Sequence, residues 1–241
     1  MLNNLKKIAS NYFVFTKNAT YKDDGIITFH NADFFKYLLF QESYRLGKET
    51  GSWGGYDLEW RVYIACWADL KGSHLSGDLV ECGVNRGGLS RAVINYIKFE
   101  RFNDKKFYLL DTYSGFPQEK RTVAARANLY DYDDDYYSEV CNTFKNFSNV
   151  VIVKGEIPYT LQEVKSESIC YLSIDMNCYQ PEIAAAEYFW DKLVSGAVII
   201  LDDYGYSDDY ILQKNAFDEF AQRKGVQVLS LPTGQGLIFK P

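Results

Sequence analysis

The sequence predicts an α/β domain built on a seven-stranded, mostly parallel sheet, closed by a C-terminal antiparallel hairpin and covered by helices on both faces. Three observations carry that expectation. From Asp57 onward, strand-length apolar runs alternate with helical patterns, the mark of repeated βαβ units. Several of those runs are almost continuously apolar, as strands buried on both faces of a parallel sheet must be. The last two runs are joined only by Leu231–Gln235, which is hairpin length and too short for a parallel crossover.

Taken in order, residues 1–56 show little period beyond a helical stretch near Asp33–Leu46 and the run GSWGG at Gly51–Gly55. They read as an N-terminal cap or extension packed on a core domain of residues 57–241. Asp57–Lys71 places Leu58, Val62, Ala65, Cys66 and Leu70 at helical spacing, which predicts an amphipathic helix. Strands are expected at Asp78–Val84, Lys106–Asp111, Val150–Val153, Ile169–Asp175, Ala197–Asp202, Gln227–Ser230 and Gly236–Phe239. Helices are expected at Leu89–Phe99, Ser138–Phe147, Tyr159–Val164, Pro181–Leu193 and Asp209–Lys224. Pro181 suits a first helical turn, and Gly225 suits a helix C-terminus. The Asp- and Tyr-rich stretch Thr112–Tyr137 is longer than an ordinary connection and reads as a lid.

Composition narrows the function. The 241 residues suit one large α/β domain or two small ones, and 47% are hydrophobic, enough for a sizeable core. The net charge of −6 argues against a nucleic-acid partner, which needs Lys and Arg against phosphate. The acidic aromatic tract YDYDDDYY at Tyr130–Tyr137 points the same way. No apolar run approaches a membrane span, and the first residues lack the apolar core of a signal peptide. A cytoplasmic location without membrane association is the expectation. Five cysteines, an odd number with no CxxC pair, read as buried thiols in a reducing compartment. His30 and His74 fall outside every motif and read as surface residues.

The chemistry concentrates at strand ends. In GDLVECGVNRGGLS, Gly77–Ser90, a strand runs into a turn carrying Gly83, Gly87 and Gly88 and then into a helix. Such a turn brings backbone N–H groups close to a ligand. Glu81 stands beside it, so a pyrophosphate would be repelled and a cationic or zwitterionic cofactor favoured. GVNRGG is not the GxGxxG of dinucleotide sites. Asp111 ends the second strand and suits the ribose hydroxyls of an adenosine. Asp175, Asp202 and Asp203 end the fourth and fifth strands, which should be neighbours. Three converging carboxylates repel one another unless a cation joins them. An all-oxygen set favours Mg²⁺ or a similar hard ion. Such an ion would lower the pKa of an acceptor hydroxyl.

With those residues in place, the chain resembles the macrocin O-methyltransferase family of S-adenosylmethionine-dependent enzymes acting on sugar hydroxyls. The matching segments are Gly77–Ser90, FYLLDTYSGFP at Phe107–Pro117, VVIVKGEIPYTL at Val150–Leu161, and the span Ser173–Gly205 with SIDMNCYQP and LVSGAVIILDDYG. The resemblance implies a Rossmann-like class I methyltransferase fold. It implies that Glu81 faces the cofactor's ammonium group, with Cys82, Gly83, Val84, Gly87, Gly88 and Ser90 around the methionine portion. Asp111 and Thr112 would meet the ribose, Gly155, Glu156 and Ile157 the adenine, and Asp175 the cofactor and metal together. Asp175, Asp202 and Asp203 match the family's magnesium ligands and would be catalytic through the ion. One departure stands out. Relatives carry a second acid two residues after the first ligand, where this chain has Asn177, so a general base would have to come from elsewhere: Asp131, Asp133–Asp135, Tyr179 or His30.

Two other readings exist. A nucleotide-dependent oxidoreductase on the same sheet would show itself by preferring NAD to S-adenosylhomocysteine. A non-catalytic relative is motivated by Asn177. Aromatic residues of the N-terminal segment, among them Phe13, Phe34 and Phe35, suggest a homodimer or a covered site.

Overall fold

The computed structural model describes residues 17–115 and 136–241, without the side chain of Tyr136. Most of the expected lid, including Asp131 and Asp133–Asp135, lies outside the described residues. The strands are β1 (Asp78–Cys82), β2 (Phe107–Asp111), β3 (Val150–Lys154), β4 (Ile169–Ile174), β5 (Leu193–Leu201), β6 (Leu229–Ser230) and β7 (Gly236–Phe239). They form one sheet in the order β3-β2-β1-β4-β5-β7-β6. The first five strands are parallel, and β7 pairs antiparallel with both β5 and β6. This is the expected seven-stranded layout with its terminal hairpin. The order reverses between β1 and β4, and at such a switch point the loops leave the sheet in opposite directions and open a crevice.

Successive residues feed two cores. Leu79, Phe107, Leu109, Tyr171, Val198 and Ile200 face one side. There they pack with α1 (Leu38–Lys48), α2 (Glu59–Ser73) and α3 (Gly88–Ile97). Val80, Leu110, Leu172, Ile174, Ile199 and Leu201 face the other. There they meet α5 (Tyr179–Trp190) and α6 (Ile211–Lys224). Each fully buried Leu, Ile or Phe contributes about 1.5–3 kcal/mol relative to exposure, so the apolar runs bind both layers. α4 (Tyr136–Phe144) contributes Val140 and Phe144 to the first core.

Some expectations need correction. Tyr159–Val164 is no α-helix; it holds one 3-10 turn, Leu161–Glu163, in a span too short to sustain a helical nucleus. Asp33–Leu46 divides at Tyr37, whose extended backbone separates a 3-10 turn (Asp33–Lys36) from α1. Strand β5 begins at Leu193 instead of Ala197. Ser195 and Gly196 are exposed within it, which hid its start from an apolar pattern. Gly225 closes α6 in the left-handed conformation, as expected. His30 and His74 are exposed. The cysteines are free, and all but Cys141 are buried. No described helix is long and apolar enough to cross a membrane.

Candidate active site

The turn after β1 is shaped by contacts within the chain. A Cβ at Gly83 would lie 1.7 Å from the carbonyl oxygen of Asp175, and its φ is +90°. Only glycine lets the end of β1 pass this close to the end of β4, and that approach sets the Glu81 strand end against Asp175. Gly87 and Gly88 are explained by packing. A Cβ would meet the Phe144 ring at 2.6 Å and Ser52 Cβ at 2.7 Å, respectively. Ser52 belongs to the GSWGG run, and its Oγ accepts the Gly88 N–H at 2.8 Å, satisfying a first-turn donor of α3. Asn85 Nδ2 donates to Ser52 O at 3.0 Å.

Glu81 is 2% exposed and accepts a hydrogen bond from Ser90 Oγ at 2.6 Å. Burial pushes its carboxyl up to about 8, helped by the charges of Asp111 and Asp202, while the Ser90 bond opposes the rise. Ser90 therefore reaches the predicted cluster as Glu81's partner. Cys82 is fully buried in the second core, on the sheet face away from Glu81, and its carbonyl accepts from Asp175 N–H at 2.8 Å. Its thiol faces the core, and burial raises its pKa. Val84 is buried in the first core.

Asp111 has both oxygens engaged by the chain. Oδ2 accepts from Val84 N–H (2.7 Å) and Asn85 N–H (2.9 Å), and Oδ1 from Tyr113 N–H (2.8 Å). The acid at the end of β2 thus clamps the turn after β1. Thr112 Oγ1 donates to Gly115 O at 2.7 Å. After β3, Gly155 N–H donates to Asp111 O at 2.9 Å. Glu156 O accepts from Thr160 N–H, and Ile157 is buried in the second core.

The three strand-end acids converge as expected. One carboxylate oxygen from each of Asp175, Asp202 and Asp203 lies within 4.8 Å of the others. Burial, then the neighbouring charges of Asp202 and Asp203, push the Asp175 carboxyl well up. Burial and Asp202 push Asp203 up to about 7. Clustered oxygens whose ionised forms repel are what a hard divalent cation relieves, so the donor set fits such an ion. Glu182, 3% exposed in α5, braces the segment after β4 by accepting from Met176 N–H (3.2 Å) and Cys178 N–H (3.3 Å). Asn177 Nδ2 donates to Asp175 Oδ1 at 3.3 Å, and Tyr210 OH donates to Asn177 Oδ1 at 2.9 Å. Asn177 is a tether between Asp175 and Tyr210.

A family profile described as Macrocin-O-methyltransferase (TylF) matches residues 62–229. The chain belongs to the macrocin O-methyltransferase family. Among curated relatives, mycinamicin III 3''-O-methyltransferase of Micromonospora griseorubida is 24% identical over 140 residues, covering 53% of this chain and 55% of that protein. Demethyldecarbamoylnovobiocin O-methyltransferase of Streptomyces niveus is 24% identical over 152 residues, covering 58% and 57%. The chain spans about half the length of the curated relatives it matches. Among solved structures, the O-methyltransferase NovP superposes with a TM-score of 0.61 at 20% identity, covering 75% of this chain and 79% of that one. Calicheamicin methyltransferase CalS11 gives 0.60 at 14% identity over 87% and 94%. Both likenesses are of fold.

Within this macrocin-type site, several residues escaped the sequence reading. Arg61, on α2, contacts Asp202 and Asp24, and Gln235 of the hairpin contacts Asp202. Ser52 and Glu182 support the two turns described above. Ser52 in the GSWGG run and Gln235 in the hairpin connection stand in stretches the sequence singled out, but neither was given a role there. The one signal in the sequence is a charged residue inside an otherwise apolar stretch: Arg61 flanked by Trp60 and Val62, and Glu182 ahead of Ile183 and three alanines.

Proposed function

We propose that this chain is an S-adenosylmethionine-dependent O-methyltransferase acting, with help from a divalent cation, on a hydroxyl of a sugar or glycosylated small molecule. The observation that carries the reading is the meeting of Asp175, Asp202 and Asp203 beside the glycine turn at the sheet's switch point. Family membership supports it, as do the relatives named for O-methylation of mycinamicin III and of demethyldecarbamoylnovobiocin. S-Adenosylmethionine would supply an electrophilic methyl, and a cation such as Mg²⁺ would lower the pKa of the acceptor hydroxyl and fix its oxygen.

The chain's own residues bind and orient. Glu81, whose carboxyl is pushed up by burial in the free protein, would ionise against the cofactor's ammonium group. The turn Gly83–Val84, held by Asp111, would line the methionine portion, with Gly87, Gly88 and Ser90 supporting it from behind. Asp111 and Thr112 remain the proposed ribose contacts, and Gly155, Glu156 and Ile157 the adenine wall. Asp175, Asp202 and Asp203 would hold the cation. Asn177 has no useful proton-accepting chemistry at neutral pH. Rate enhancement then rests on positioning and on electrostatics more than on a strong base.

The test is calorimetric titration with S-adenosylhomocysteine, for wild type and Glu81→Ala, with and without Mg²⁺. Binding by wild type that Glu81→Ala loses supports the site and justifies a screen of nucleotide sugars and glycosides. No binding by wild type under either condition refutes the reading.

A further inference from the structure

Asp202 is gripped from two sides by the chain itself. Arg61 donates Nη1–H to Asp202 Oδ2 at 2.5 Å and to the Asp202 carbonyl at 3.0 Å, and Gln235 donates Nε2–H to Oδ1 at 2.8 Å. The same guanidinium donates Nε–H to Asp24 Oδ2 at 2.8 Å and Nη2–H to Thr233 O at 3.1 Å. The Tyr206 ring covers it, with its centroid 4.5 Å from Cζ. The Arg61 side chain is 7% exposed and that of Asp24 is 1% exposed. All three guanidinium nitrogens are used, so the charge is fixed in place and screened little by water.

Asp24 comes from outside the sheet. It stands on the turn between Tyr21 and Thr28, which form an isolated antiparallel bridge. One buried cation is therefore shared between an acid of the N-terminal segment and an acid of the strand-end cluster. A helix that needed only to pack on the sheet would place an apolar residue where Arg61 stands. A guanidinium is stable there because two carboxylates surround it.

We infer that Arg61 is the resident counter-ion of the acidic cluster. It keeps Asp202 in position when no metal is bound and holds the cluster's affinity for a divalent cation down, while Asp24 weakens that restraint by sharing the guanidinium charge. The inference rests on the reading of Asp175, Asp202 and Asp203 as a cation site. Its physics is the repulsion between a fixed monocation and a dication bound to the same carboxylate. Arg61 is thus a positioning residue, acting through Asp202.

Removing Arg61 and removing the charge of Asp24 give the inference opposite signs. Arg61→Met removes the competing charge and should tighten cation binding at least tenfold. Asp24→Asn leaves the whole guanidinium charge to Asp202 and should weaken binding severalfold. Arg61→Lys keeps the charge and should stay within a few-fold of wild type. A role confined to holding the fold together would weaken binding in both Arg61→Met and Asp24→Asn.

The experiment is titration of the intact chain with Mn²⁺, read by calorimetry and by the electron paramagnetic resonance of free Mn²⁺. Thermal melts in parallel establish that each variant is folded. Should Arg61→Met fail to fold, Asp24→Asn and Arg61→Lys carry the test. Weaker binding by Asp24→Asn with near-normal binding by Arg61→Lys supports the inference. So does binding by Arg61→Met where wild type binds too weakly to measure. Binding by Asp24→Asn equal to or tighter than wild type overturns it, as does weaker binding by a folded Arg61→Met. No Mn²⁺ binding by any of the four proteins overturns the cation-site reading and this inference with it.

Discussion

Glu81→Gln isolates what it means to keep a carboxyl under the turn after β1. The side chain is 2% exposed, and burial carries its pKa from 4.5 to about 8. Between those values the folded chain holds a proton that the unfolded chain has released. Stability contributed by the protonated carboxyl is therefore present at low pH and lost as pH rises through this window. At 1.36 kcal/mol per pH unit, the loss from this one group between pH 5 and pH 8 is about 3 kcal/mol. Gln keeps the shape and can still accept from Ser90, but it does not titrate. Urea denaturation of wild type and Glu81→Gln at several pH values between 5 and 8 measures the difference. The variant should lose less stability across the range, and the gap between the two curves should open by about 3 kcal/mol toward pH 8. Glu182 and Asp203 shift in the same direction, so both proteins lose stability with pH, and only the difference reports on Glu81. Parallel curves would refute the reasoning, because they would mean that the carboxyl is already ionised, or reached by water, in the folded chain.

Other consequences follow from the packing of the two turns. Gly83→Ala would force a Cβ onto the Asp175 carbonyl at a left-handed φ, and a loss of about 3 kcal/mol or more is expected by denaturant titration. Gly25→Ala is the control: its φ is +74°, but no atom lies within 4 Å of the new Cβ, so only the backbone term of about 1 kcal/mol should appear. Ser52→Ala leaves the Gly88 N–H without its acceptor and should cost about 1 kcal/mol, with a lower melting temperature and little change in the circular dichroism of the folded state.

The sequence by itself determined the sheet. Alternating apolar runs, the glycine turn and the five-residue hairpin connection are local patterns, and local patterns specify strand, helix and connection length. That the fourth and fifth strands are neighbours and the last two antiparallel also followed from them, while the full strand order came with the structure. The strand-end acids were legible for the same reason: an apolar run that stops on Asp marks the open edge of the sheet. Asp175, Asp202 and Asp203 could be grouped from β4 and β5 being neighbours.

Only the tertiary structure decided what stands around those acids. Gly87 and Gly88 fit a ligand-binding turn in sequence, yet Phe144 and Ser52 are the groups that require them small. Asp111 looked like an open acceptor, and the fold also uses both of its oxygens to hold the backbone beside it, with acceptor capacity left on Oδ1. Arg61 is 141 residues from Asp202 in the chain and 2.5 Å from it in space. No period or spacing encodes that contact. It arises where α2, the N-terminal turn, the end of β5 and the terminal hairpin close on one another, and a buried guanidinium is tolerated only because acids from the N-terminal turn and the end of β5 arrive together.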